Sequence, residues 1–103
     1  VEKIVMRTKF VQDGIQYEHA DTKPDLVPGS VRRFTYGAEP QIIARVPLKG
    51  GGIIEIHGYG GHYNSDWATV DWNDNVHHFT CWVPAADVRR AAEGEWHGNY
   101  VAS

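Results

Sequence analysis

Residues 67–83, WATVDWNDNVHHFTCWV, hold two alternating apolar stretches on either side of a short polar connection. Ala68, Val70 and Trp72 share one parity, as do Phe79, Cys81 and Val83, and in an extended chain every second side chain points to the same face. Asn73-Asp74-Asn75 has turn chemistry, because Asn and Asp tolerate left-handed dihedrals and bond backbone N–H groups a residue or two further on. The stretch predicts a β-hairpin, Trp67 to Trp72 and Val76 to Val83, with one buried face whose cross-strand apolar contacts make it the expected centre of stability.

The neighbouring segments extend the pattern. In IIEIHGYGG, residues 53–61, Ile54 and Ile56 should face inward and Glu55 and His57 outward, while Gly58, Gly60 and Gly61 permit a bend, a bulge or a close backbone approach. Gln41 to Val46 reads as a strand with Ile42, Ala44 and Val46 on one face, ended by Pro47. Val31 to Tyr36 reads as another, with Phe34 and Tyr36 together. Ile4 to Val11 and Ile15 to His19 flank Asp13-Gly14, a hairpin turn signal, with Ile4, Met6 and Phe10 inward on one arm and Ile15 and Tyr17 on the other. The Pro- and Gly-containing segment Ala20 to Ser30 is the longest loop, pinned to the core by Leu26 and Val27. Beyond the central hairpin, Pro84 and AADVRRAAEG predict a short helix stopped by Gly94, with Val88, Ala91 and Ala92 against the sheet. Trp96 and Tyr100 then dock.

At 103 residues, with 42% apolar and 22% charged, the chain has room for one domain, residues 1–103. Its six or seven short strands predict a mainly β fold. The expected form, by analogy of fold, is a small SH3-like, partly open antiparallel barrel with an N-terminal hairpin and a short C-terminal helix. Ten Lys plus Arg against thirteen Asp plus Glu give a net charge of -3, which opposes long-range attraction to nucleic acid or an anionic bilayer. The single cysteine, Cys81, excludes an intrachain disulfide and a thiolate-rich zinc site, and points to a reducing, cytoplasmic setting. No apolar run approaches the roughly 20 residues of a membrane span. The opening VEKIVMRTKF carries charges where a signal peptide needs its apolar region, although a chain that starts at Val1 leaves a leader or a longer parent chain open.

Chemistry-bearing residues concentrate between His57 and His78, which includes four of the six histidines together with Tyr59, Tyr63, Asp66, Trp67, Asp71 and Asp74. Aromatic side chains bury much area for little lost freedom, so Tyr59, His62, Tyr63 and Trp67 are the expected protein-interaction surface of a non-enzymatic binding or assembly domain. Its partner is a protein, a second copy included. One alternative is nucleic-acid binding through Arg32, Arg33, Arg45 and Lys49, which the net charge disfavours. Another is a small hydrolase or metal-dependent enzyme, in which His57, His62, His77 or His78 and Asp66 would be the first ligands to test. Alternating strand directions separate these residues, so no metal is favoured, no cofactor is implied and no catalytic residue is singled out. Asp71-Asn73-Asn75 begins like a calcium loop, but Val76 and Trp82 stand where the turning glycine and the bidentate Glu belong. The glycine runs at 50–52 and 58–61 lack the remaining parts of a phosphate-binding motif.

Overall fold

The computed structural model describes residues 8–21 and 24–99. Its elements in chain order are β1 (Lys9–Gln12), β2 (Ile15–Glu18), β3 (Arg32–Arg33), β4 (Gln41–Pro47), β5 (Ile53–Tyr63), β6 (Trp67–Asn73) and β7 (His78–Pro84), then a 3-10 turn (Ala85–Asp87) and β8 (Val88–Arg90). The architecture is mainly β, with two antiparallel sheets: the hairpin β1-β2 and a larger sheet in the order β7-β6-β5-β4-β8, to which β3 adds beside the end of β5.

The curvature of the large sheet follows from its connectivity. In a flat sheet, the four strand spacings between β7 and β8 would separate them by roughly 19 Å. Only Ala85–Asp87 joins these strands, and three residues in a 3-10 turn rise just about 6 Å. The sheet therefore curls to bring its edges towards each other. It does not close: among the described residues no ladder joins β7 to β8.

The predicted central hairpin is present, paired from Trp67 opposite Pro84 to Asn73 opposite His78, but its connection is shifted: Asn73 belongs to β6, the turn runs from Asp74 to His77, and Val76, expected in the second strand, is exposed in the turn. Asn75 takes the left-handed conformation (φ 73°). The Asp74 carboxylate accepts the Val76 and His77 N–H groups at 3.0 and 2.8 Å, which fixes the turn. Ala68, Val70, Trp72, Phe79, Cys81 and Val83 are buried, joined from β4 and β5 by Ile42, Ala44, Val46 and Ile56. Hairpin β1-β2 closes over one end of this face. Phe10, 1% exposed, sets its ring edge-on to Trp72 at 5.3 Å and to Phe79 at 5.7 Å. His19, unremarkable in the sequence, is buried in the same aromatic cluster, and its Nδ1–H donates to the Ala20 carbonyl at 2.9 Å. Fully burying a Val, Ile or Phe side chain contributes about 1.5–3 kcal/mol, so this face carries much of the fold's stability.

Several expectations need correction. The segment after Pro84 is not a helix: after the 3-10 turn, Val88 and Arg90 pair with Ala44 and Ile42 on the open edge of β4. A ten-residue helix is marginal because its first turn is costly to nucleate, whereas the β4 edge offers ready backbone partners and a place for the β-branched Val88. The strand predicted over Val31 to Tyr36 shrinks to Arg32–Arg33. Phe34 then packs on Tyr63 with ring centroids at 4.5 Å, whereas Tyr36 is 86% exposed. Ile15, at the tip of its hairpin, is 56% exposed and not inward, because the tip reaches past the core. Val27 is 70% exposed and does not pin its loop. Ile4, Met6 and Tyr100 lie outside the described residues.

The glycines of β5 keep two of their three predicted roles. The strand runs through them without breaking, with a register irregularity between Gly60 and Tyr63. A Cβ on Gly58 would run into the Asp71 backbone oxygen, so β6 approaches closely only because none is there.

Candidate functional site

Strand alternation gives the large sheet a second face, turned away from the core. It carries Gln41, Ile43 and Arg45 of β4, Glu55, His57 and Tyr59 of β5, Trp67, Thr69, Asp71 and Asn73 of β6, and His78, Thr80 and Trp82 of β7. Ile43, although on this face, is only 3% exposed. The C-terminal segment crosses the β5 side of the face. Glu95 is held to Arg89 by a bidentate pair at 2.6 and 2.7 Å. The Trp96 indole N–H donates to the Gly58 carbonyl at 3.0 Å, and its ring lies 5.1 Å from Tyr59. Asn99 and Asn73 exchange side-chain-to-carbonyl hydrogen bonds of 2.8 and 3.2 Å.

This strap occupies His57. The His97 backbone N–H donates to His57 Nδ1 at 2.9 Å, so the ring proton sits on Nε2, which donates to Glu55 Oε1 at 3.1 Å. With both nitrogens engaged, His57 has no lone pair for a metal ion or for proton abstraction in this arrangement. A 710 Å3 cavity lies between hairpin β1-β2 and the strap, and several of the polar groups that line it are already bonded to one another. Asp74 accepts from Val11, Val76 and His77; Asn73 and Asn99 pair; Gln12 donates to the Glu55 carbonyl at 3.4 Å. These contacts tie the hairpin, the sheet and the strap together.

The open part of the face centres on Asp71. Its carboxylate accepts a hydrogen bond from the Thr80 hydroxyl on β7 and occupies space that a Cβ on Gly61 would claim. Thr69 alongside accepts the His62 N–H at 2.8 Å, which holds the irregular stretch of β5 against β6. Burial pushes the Asp71 carboxyl above the usual carboxylate range, and the negative charge of Glu39 adds to this, while Thr80, His78 and His62 act in the opposite direction. A 340 Å3 cavity opens over it, lined by Tyr36, Gly37, Glu39, Tyr59, Asp71 and His78.

Tyr59, Trp67 and His62 fall on this face, the first two half-buried and His62 exposed, its ring 6.5 Å from Trp82. Tyr63 does not join them: it lies opposite Ala68 on the core side and packs at a tilt on Phe34. Asp71 and Trp82 share this face, and Tyr36 reaches the cavity over Asp71 from the loop before β4. The signal for Trp82 was its parity with Thr80 and His78, opposite to Phe79 and Cys81. Of the basic residues, Arg32 and Arg33 sit together beside Tyr63 and His62. Arg45 lies opposite Glu55, seven positions along β5 and thus roughly 20 Å away, and Lys49 pairs with Glu18 at 3.4 Å. Among the described residues no three His, Cys, Asp or Glu side chains stand close enough to hold a metal ion. His57, His62, His77, His78 and Asp66 are thus not brought together. No helix among the described residues is long and apolar enough to cross a membrane.

Compared with protein-family models, with curated proteins and with solved structures, the chain matches none.

Proposed function

We propose that the chain is a small protein-interaction domain of the SH3-like, partly open barrel type, and that its partner docks on the outer sheet face around Asp71. The curled sheet and the three-residue 3-10 turn between β7 and β8 support the fold reading. The observation that carries the functional reading is the cavity over half-buried Asp71, lined by Tyr36, Tyr59 and His78, with His62 beside Trp82 further along the same face and Trp67 beyond them on β6. Rings with a polar edge are the side chains that dominate small interfaces, and surrounding imidazoles, hydroxyls and carboxylates supply orientation.

Affinity capture from the native host tests the proposal, with wild type, Trp82→Ala, Trp67→Ala and the remote control Gln16→Ala. The reading expects one protein retained by wild type and Gln16→Ala and lost from both tryptophan variants, each folded by circular dichroism. Retention by all four overturns it.

A further inference from the structure

We infer that the cavity over Asp71 receives a basic side chain of the partner, with the guanidinium of arginine as the best match. The inference rests on the interaction reading above and deepens it. Two carboxylates, Asp71 and Glu39, and two phenol rings, Tyr36 and Tyr59, line one cavity, and no lysine or arginine among the described residues does so. Its 340 Å3 falls within the roughly 300–1,000 Å3 of small-ligand sites, enough for the head group of one side chain.

The carboxylates are placed unequally. Glu39 accepts the Gly37 N–H at 2.9 Å, which sets the turn that carries Tyr36. Asp71 is held in the sheet, with Thr80 on one oxygen and the other oxygen over Gly61. A half-buried carboxylate beside a second one, with no lysine or arginine lining the cavity among the described residues, is an electrostatic deficit that an incoming cation fills. The rings add to this: a cation over a phenol face is attracted by the ring quadrupole, and a planar guanidinium both stacks on the ring and forks onto a carboxylate. Tyr36, 86% exposed, stands at the rim of the cavity with its ring accessible to such a group.

The test is an NMR titration of the whole chain with acetyl-Gly-Arg-Gly-amide and with the citrulline peptide, which keeps the shape and lacks the charge. The arginine peptide should shift the amide signals of Tyr59, Gly61, Asp71 and Thr80, and the citrulline peptide should not. Asp71→Asn should weaken binding at least about tenfold. Tyr36→Ala, at an exposed position that leaves the core intact, should weaken it less. Equal binding of both peptides, shifts centred on Glu18 or Glu55, or full binding by both variants overturns the inference. A partner captured through Trp82 while the pocket ignores arginine likewise overturns it, and leaves the interaction surface standing. A responsive pocket in a chain with no face-dependent partner does the reverse.

Discussion

The Asp71 carboxylate lies where a side chain on Gly61 would have to be, so the absence of a Cβ on one strand creates the seat for an acid on the next. The cost of that seat is carried by the fold: burial raises the Asp71 pKa, so ionising the group works against folding near neutral pH. Asp71→Asn keeps an acceptor for the Thr80 hydroxyl and removes the buried charge. It should raise the melting temperature at neutral pH by about 2–5 °C, a gain that fades as the pH falls through the raised Asp71 pKa, while arginine binding is lost. A lower melting temperature at neutral pH would contradict this.

Gly58 and Gly61 should respond differently to alanine. At Gly58 the added methyl meets the backbone of Asp71, which cannot move without parting β5 from β6, so Gly58→Ala should destabilise by about 1–3 kcal/mol in urea unfolding. At Gly61 it meets the Asp71 side chain and Thr69, so Gly61→Ala should disturb the pocket more than the fold. Arginine binding lost with a smaller stability change than Gly58→Ala is the expected signature.

The strap has its own pH dependence. The hydrogen bonds from Arg89 hold the Glu95 carboxyl down to about 2, from an ordinary 4.5. A lowered acid pKa means that the contribution is complete above the ordinary value and is lost as the pH falls through the folded one. The Trp96 indole N–H signal, which reports the bond to Gly58, should therefore leave its folded position with a midpoint near 2. In Glu95→Gln it should already be displaced at neutral pH. A midpoint near 4.5 would show that the Arg89 pair does not hold the strap.

Cys81 is buried between Phe79 and Val83, and burial pushes its thiol up to about 11 from 9.0. Two pKa steps mean roughly 100-fold less thiolate at slightly alkaline pH, before any steric protection. A thiol reagent should modify the native protein at least about 100-fold more slowly than the guanidinium-unfolded chain. Comparable rates would place Cys81 outside the core.

What the sequence made legible was decided by period and by turn chemistry. The hairpin of β6 and β7 was readable because Ala68, Val70, Trp72, Phe79, Cys81 and Val83 alternate without a fault on either side of a connection rich in Asn and Asp, although the turn itself sits one to two residues later than Asn73-Asp74-Asn75. Asp13-Gly14 marked β1-β2 equally well, and both residues take positive φ, 52° and 78°. Val88 to Arg90 was misread because local propensity favours a helix there, and the β4 edge that captures it is a tertiary feature some 45 residues away. The site was half legible. The parity that places Trp67 and Tyr59 outward is local, whereas the position of Tyr63 depends on the irregularity after Gly60, and the convergence of Tyr36 and Glu39 on Asp71 depends on a loop.

Site-specific photo-cross-linking reports whether a partner docks on the outer face around Asp71. A photoreactive phenylalanine analogue replaces Tyr36 or Trp82 on the outer face, or Gln16 on the remote hairpin, and the protein is irradiated in lysate of the native host. One and the same protein should be captured from positions 36 and 82, competed away by the arginine peptide, and absent from position 16. Capture of the same protein from position 16 alone, or from all three positions without competition, would contradict this docking.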